Sequence, residues 1–242
     1  MACGENYFMF RCEKCGNVER HYITCKQRTC RKCARTRSFQ LVEMYLPVVL
    51  TFKWACFVTL TLKFIAHADI REQLDRILSS FRKLRRRKAW NAEKGVFSVE
   101  MVKKDEGYYV HLHALVDSKW MDQADLSKAW LDITGDSFIV DIRRVKSDRR
   151  GLLSEVLKYQ TKMWELNDEE KDFVEKTFKH RRFVNSFGIE RPEKSKFKGM
   201  KCKVILSSGR VCGGNLELFE EEIYRKSSSE SQSNYCEELN SS

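Results

Sequence analysis

Two β-prone segments separated by a short polar turn constrain the fold of this chain most strongly. Residues 96–102 (VFSVEMV) and 108–116 (YYVHLHALV) are rich in β-branched and aromatic residues, and KKDEG connects them. A connection this short joins antiparallel strands, because parallel neighbours need a crossover of a dozen or more residues. We therefore expect a β-hairpin in an antiparallel sheet.

The segments around the hairpin alternate between helical and extended patterns. The extended patterns predict further strands over 57–63 (FVTLTLK) and 137–145. The apolar spacing predicts helices over 38–50, 69–90, 122–134, 151–166 and 168–180, with Asp69 capping the second and Pro47 helping to end the first. This order indicates an α+β fold with a ferredoxin-like or RRM-like antiparallel sheet and helices packed on one face.

The charge balance favours a polyanionic partner. Lysine and arginine outnumber the acids by 45 to 34, which gives a net charge of +11. The basic segment RKLRRRK (82–88) is either a solvated helix end or a surface that contacts DNA phosphates. The second interpretation assigns DNA binding to Arg82, Lys83, Arg85, Arg86, Arg87 and Lys88.

Cysteine usage predicts a metal-bound module. Six of the ten cysteines fall in the first 33 residues, and neither a secretory leader nor a membrane-spanning segment is evident, so we expect a cytoplasmic protein that makes no membrane contact. The spacing of two C-x-x-C pairs fits a structural Zn²⁺ site, with Cys25 and His21 as alternative ligands. The predicted zinc ligands are Cys12, Cys15, Cys30 and Cys33, whereas Cys202 and Cys212 are unassigned.

These patterns divide the chain into four segments. We expect a zinc-binding module over 1–37, a main α+β domain over 38–194 and a small extension over 195–226. The Ser- and Glu-rich tail over 227–242 is too polar to pack and is predicted to be disordered. The sequence has no G-x-x-x-x-G-K-[ST] phosphate loop, so we do not expect an ATPase.

Two histidines in the hairpin form the first candidate site. His111 and His113 project to the same side of a strand because side chains alternate, and Glu100 on the partner strand lies opposite or diagonal to them. Two imidazoles and one carboxylate suit Mn²⁺ or Mg²⁺, although the three side chains could equally be polar positions on a half-buried strand.

A later helix carries the second candidate group. Glu155, Tyr159 and Lys162 have the spacing i, i+4 and i+7 and share one helical face, which is also what an ordinary amphipathic helix shows. In the strand FVTLTLK, Thr59 and Thr61 share a face that could line a DNA groove, but neither is expected to take part in chemistry.

Three segments occur in the order found in one enzyme superfamily. FVTLTLK, HLHALVD and KYQTK match the first motif, the histidine–hydrophobe–histidine motif and the Y-x-x-K motif of the HUH endonucleases. Over about residues 52–166 the chain resembles the single-tyrosine rolling-circle replication initiators, or Rep proteins, of plasmids and viruses. TCKQRTCRKCARTR is similar to the cysteine-rich stretch that precedes the first motif in many of them.

The resemblance implies an HUH endonuclease fold over 38–194 and nicking of single-stranded origin DNA in a prokaryotic cytoplasm. Tyr159 would attack a phosphate beside an ion held by the histidines and Glu100, leaving a 5′-phosphotyrosine and a 3′-OH primer. Lys162 would favour the phenolate or hold the phosphate, and Glu155 would activate water for product release. A host helicase and a DNA polymerase would be the partners.

Two other functions fit part of the pattern. A single-tyrosine HUH transposase would use the same chemistry on a mobile element. A non-catalytic, zinc-containing nucleic-acid-binding protein with an RRM-like fold would place no constraint on how the tyrosine and histidines are arranged.

Overall fold

The computed structural model describes residues 3–104, 106–145, 148–158, 166–189, 204–208, 210, 212–213 and 216–225. The predicted disordered tail over 227–242 lies outside these residues. The chain forms two compact units, one from 1–26 with 193–242 and one from 27–192. The boundaries between these units lie at 26/27 and 192/193, whereas the sequence predicted boundaries at 37 and 195.

The first unit contains a small antiparallel sheet. Strand β1 (Asn6–Cys12) pairs with β2 (Val18–Tyr22) on one side and with β8 (Leu216–Arg225) on the other. Cys12 lies opposite Leu216, at the end of β1 where the chain turns into β2. This sheet therefore combines two strands of the N-terminal segment with one strand from the C-terminal part of the chain.

Among its described residues, the second unit contains an antiparallel five-stranded sheet and five helices. The strand order is β6-β3-β5-β4-β7, so β5 lies in the middle and β3 and β4 flank it. The strands are β3 (Ala55–Thr61), β4 (Lys94–Lys104), β5 (Gly107–Asp117), β6 (Val140–Arg144) and β7 (Val184–Phe187). The helices are α1 (Arg31–Leu50), α2 (Ile70–Leu84), α3 (Gln123–Thr134), α4 (Arg149–Lys158) and α5 (Asp168–Thr177). The predicted α+β class with an antiparallel sheet is confirmed.

Helices cover both faces of this sheet, so the prediction of helices on one face is wrong. Side chains of α2, α3 and α5 pack in one apolar cluster with alternate residues of β3 and β5 such as Leu60 and Leu112. Side chains of α1 and α4 pack in a second cluster with the intervening residues Phe57 and Leu115. Because β3 and β5 are apolar on both sides, a single helical layer would leave one side exposed to water.

Two helix boundaries differ from the predicted ones by six residues or more. Helix α1 begins at Arg31 rather than near 38, and Pro47 lies inside it, one turn before its end. Helix α2 is capped by Asp69 as predicted but ends at Leu84, before most of the basic segment. The chain then turns so that Trp90 enters the core, where its ring contacts Phe81 edge-on at a centroid distance of 5.2 Å. Burial of this large ring outweighs the helical propensity of the arginines.

Candidate active site

The central strand β5 presents a row of polar side chains on the face covered by α1 and α4. His111 lies opposite Thr61 on β3 and opposite Glu100 on β4, and His113 lies opposite Thr59 on β3. Directly opposed residues of antiparallel strands project to the same side of the sheet. Strand register alone therefore gathers two imidazoles, two hydroxyls and one carboxylate on one surface, which we call the histidine row.

The two threonines hold the histidine rings. Thr59 Oγ1 lies 3.1 Å from His113 Nδ1, and Thr61 Oγ1 lies 3.0 Å from His111 Nδ1. The ring centroids of the two histidines are 6.2 Å apart. The sequence analysis did not predict this role. The two threonines are two residues apart, as the two histidines are, and this shared spacing could have indicated that they pair across neighbouring strands.

The Glu100 carboxylate contacts the histidine that lies diagonal to it across the two strands. Its Oε2 lies 3.1 Å from His113 Nε2, although the residue opposite Glu100 in the ladder is His111. Glu100 and His113 are only 6% and 7% exposed. A buried carboxylate is costly unless it is paired or bound to a metal ion, so this position is not that of an ordinary solvent-facing strand acid.

The donor atoms of the row are of the types that bind divalent cations. A histidine that binds metal through Nε2 carries its proton on Nδ1 and usually donates it to an oxygen, which is where both threonine hydroxyls lie. Glu100 Oε2 and His113 Nε2 are 3.1 Å apart, so a carboxylate oxygen and an imidazole nitrogen lie side by side. His111, His113 and Glu100 are thus the residues that could hold such an ion.

Helix α4 lies over the histidine row. The hydroxyl of Ser98, which is opposite His113 on β4, donates to the carbonyl oxygen of Val156 in α4. The described helix ends at Lys158. Tyr159 and Lys162, which follow it in the sequence, lie outside the described residues.

Glu155 lies on the exposed side of α4. Its Oε1 accepts a hydrogen bond of 3.3 Å from an Arg143 guanidinium nitrogen. The Arg143 guanidinium carbon lies 4.6 Å from the Phe57 ring centroid, and that ring lies 5.8 Å from His113. Glu155 is therefore connected to His113 indirectly, through Arg143 and then Phe57.

Comparison with known protein families identifies the family to which the chain belongs. The sequence profile of the replication protein family Rep_1 matches residues 17–202, which include the whole histidine row and α4. The chain belongs to the Rep_1 family of replication proteins. Searches among curated proteins and among solved structures gave no match. The family match supports a plasmid-type replication initiator that acts on DNA at an origin.

The basic segment of this Rep_1 protein lies away from the histidine row. It follows α2, which packs on the opposite face of the sheet. Arg85 stacks on Phe187 at 4.6 Å, and burial, followed by the charges of Arg86 and Arg82, lowers the pKa of its guanidinium. Arg85 is therefore a packing residue. The other predicted DNA-binding side chains are exposed, namely Arg82, Lys83, Arg86, Arg87 and Lys88.

The structure groups the predicted zinc ligands differently. Cys12 and Cys15 lie in the first unit, where their sulfur atoms and that of Cys212 are all within 4.8 Å of one another. Cys30 and Cys33 belong to the second unit, at the beginning of α1. The predicted four-cysteine set combines residues of both units and does not include Cys212. Spacing could not reveal this residue, which is 200 positions from Cys12 and is brought back by β8.

The alternative ligands Cys25 and His21 also lie in the first unit. The backbone N–H of Cys25 donates to Cys3 Sγ at 3.4 Å, and His21 Nε2 lies 3.6 Å from a carboxylate oxygen of Glu19. Cys202 lies outside the described residues. Within the described part of the chain, the structure contains no helix long and apolar enough to cross a membrane.

Proposed function

We propose that this Rep_1 protein is a rolling-circle initiator that nicks single-stranded origin DNA and becomes covalently attached to it. The observation that carries the proposal is the histidine row, in which Glu100 Oε2 contacts His113 Nε2 and a threonine hydroxyl lies beside Nδ1 of each histidine. Family membership supports DNA at an origin as the substrate. The finer assignment to the HUH endonucleases, with their ferredoxin-like sheet, is part of the same proposal.

His111, His113 and Glu100 are the proposed ligands of Mn²⁺ or Mg²⁺. Two nitrogens and one carboxylate oxygen leave coordination positions for phosphate oxygens, which suits these ions better than a closed structural site. A bound divalent ion supplies positive charge that withdraws electron density from the scissile phosphate. The chain's own contribution is to fix the imidazoles through Thr59 and Thr61.

Tyr159 is the proposed nucleophile. Its phenol oxygen forms a bond to phosphorus while the bond from phosphorus to the 3′ oxygen breaks, and the phenol proton ends on the departing 3′ oxygen through intervening bases or water. A phenol has a pKa of about 10 and is a weak nucleophile at neutral pH. We assign Lys162 to favouring the phenolate or to holding the phosphate.

Glu155 is proposed to act after the first nick. As a base toward water, it would allow hydrolysis of the phosphotyrosine bond and release of the product. Its carboxylate accepts a hydrogen bond from Arg143, which fixes the orientation of the group on the exposed side of α4. The 3′-OH left by the nick would be extended by a DNA polymerase, with strand separation by a host helicase.

Covalent trapping tests the proposal. Protein incubated with single-stranded origin DNA and Mn²⁺ should form an adduct that runs more slowly on a denaturing gel, and Tyr159→Phe should abolish it because the nucleophilic oxygen is lost. Tyr109→Phe is the matched control, since this phenol stacks beside His111 at a centroid distance of 6.4 Å. An adduct that persists in Tyr159→Phe and disappears in Tyr109→Phe would refute the assignment. Absence of any adduct would refute the nicking activity.

A further inference from the structure

Three cysteines from the two ends of the chain meet in the first unit. Cys12 ends β1, Cys15 lies in the following turn, and Cys212 lies four positions before the first residue of β8. Their sulfur atoms are all within 4.8 Å of one another. Cys12 and Cys212 are buried beside Leu216, Phe10 and Val204, whereas Cys15 is exposed.

The distance between sulfurs distinguishes a metal site from a disulfide. Cys12 Sγ and Cys212 Sγ are 3.7 Å apart, whereas a disulfide bond is about 2.05 Å long. Two thiolates that bind one zinc ion at about 2.3 Å in a tetrahedral arrangement are about 3.8 Å apart. The observed separation therefore matches the edge of a zinc–thiolate tetrahedron.

The backbone around Cys12 is arranged to support a thiolate. The N–H groups of Lys14 and Cys15 hydrogen-bond to the Cys12 sulfur. Gly16, at a φ of +73°, closes the turn by donating to the Cys12 carbonyl oxygen at 2.9 Å. Amide donors directed at a sulfur stabilise its negative charge, which is the form that binds metal.

Cys212 is held by a separate set of contacts. Its N–H donates to the Val204 carbonyl at 2.8 Å, and its carbonyl accepts from Lys14 Nζ at 3.3 Å. Gly213 follows at a φ of +65°. Both sulfurs are therefore positioned by backbone contacts and not by side-chain packing alone, as a preorganised ligand set requires.

We propose that Cys12, Cys15 and Cys212 bind one structural zinc ion. Thiolates favour zinc over Mn²⁺ and Mg²⁺, so this site and the histidine row select different metals. The ion would join the β1–β2 hairpin to the segment before β8, and so stabilise a sheet that is built from opposite ends of the chain. Cys202 lies outside the described residues, so three ligands are named.

Chelation with thiol labelling tests the proposal on the wild-type chain. The full-length protein is loaded with zinc and alkylated with iodoacetamide with or without a chelator, and each cysteine-containing peptide is quantified by mass spectrometry. Cys12, Cys15 and Cys212 should be protected together and become reactive together when the chelator removes zinc. Cys56, a buried thiol of β3, is the internal control and should not respond to the chelator. Labelling of Cys212 that is the same with and without chelator would overturn the proposal.

Metal content provides the second measurement. Cys212→Ser should bind one zinc equivalent less than the wild type, and Cys212→His, which restores a zinc ligand, should recover it. Cys56→Ala should retain the full zinc content. Equal zinc content in wild type and Cys212→Ser would overturn the proposal. Since DNA nicking is not measured, these results are independent of the function proposed for the histidine row.

Discussion

At the scale of single residues, the histidine row depends on side chains that do no chemistry themselves. Thr59 and Thr61 lie at the Nδ1 atoms of His113 and His111, at 3.1 and 3.0 Å. A ring fixed on this side presents Nε2 in one orientation. The hydroxyls therefore restrict where the imidazoles point, and a hydroxyl that accepts from Nδ1–H leaves Nε2 free of its proton.

Thr59→Val should weaken metal binding while preserving the fold. Valine keeps the shape of threonine but cannot accept a hydrogen bond from the Nδ1–H of His113. Loss of such a supporting contact costs about 10- to 100-fold in metal affinity. Titration with Mn²⁺ measures the affinity. Thr36→Val on the exposed side of α1 is the control. Unchanged affinity in Thr59→Val would show that the hydroxyl does not support a ligand.

Glu155→Gln should separate the two steps of the proposed reaction. Glutamine cannot take a proton from water, so the covalent adduct should form at the wild-type rate and then persist. A time course of adduct formation and decay on single-stranded origin DNA measures both steps. Adduct that decays as fast in Glu155→Gln as in the wild type would assign release to another group.

The sequence predicted some members of the site and not others. The spacing of His111 and His113 and the hairpin they belong to were sufficient to group them with Glu100. The role of Thr59 depends on the register between β3 and β5, which no local pattern specifies. Cys212 was missed for the same reason, since it meets Cys12 only through pairing of distant strands.

At the scale of elements, one ion pair joins α2 to the loop between α3 and β6. Arg76 donates to Asp136 Oδ1 at 2.5 Å and to the Thr134 carbonyl at 3.0 Å. Burial raises the pKa of Asp136, but the hydrogen bonds from Ser137 and Arg76 and the charges of Arg76 and Lys63 outweigh it. The pKa is therefore lowered from 3.8. The carboxylate form is stabilised in the folded state.

Asp136→Asn should lower the free energy of unfolding at neutral pH by about 1 kcal/mol. Because the folded-state pKa is the lower one, the contribution is complete above the ordinary value of 3.8 and is lost as the pH falls through the lowered pKa. Urea unfolding from pH 7 downward should show the difference between wild type and variant shrinking in acid. Asp132→Asn on α3 is the control. A difference that does not change with pH would contradict the assignment.

Some element boundaries are determined by packing in the core and not by the local sequence pattern. Trp90 ends the helical run of α2 early by entering the core. The apolar residues on both sides of β3 recruit α1 and α4 in addition to α2 and α3. A continuous apolar strand could have predicted two layers, because only a strand covered on both faces excludes water from all of its side chains.

At the scale of the whole molecule, the basic segment and the histidine row lie on different faces of the sheet. The exposed basic residues after α2 are on the face opposite the histidine row. With a net charge of +11, DNA binding is expected to be strongly dependent on salt. Composition indicated a polyanion correctly as a class, whereas the position of the basic segment required the fold.

Replacement of Arg86 and Arg87 by glutamine should weaken binding of single-stranded DNA without slowing the nick at saturating DNA. Each lost phosphate contact should reduce the slope of log affinity against log salt by about 0.7. Replacement of Lys171 and Lys176, which pair with acids on α5, removes the same charge and is the control. Equal loss of affinity in both variants would show that the basic segment contributes only through the net charge of the protein and does not contact DNA phosphates.

Direct binding of Mn²⁺ tests the central claim that the histidine row is a metal site. Electron paramagnetic resonance counts the Mn²⁺ ions left in solution and therefore those bound by the protein. We predict that the wild type binds one ion that a variant with both His111→Ala and His113→Ala does not bind, while the two proteins give the same circular dichroism spectrum. Equal Mn²⁺ binding by the two proteins would contradict the account.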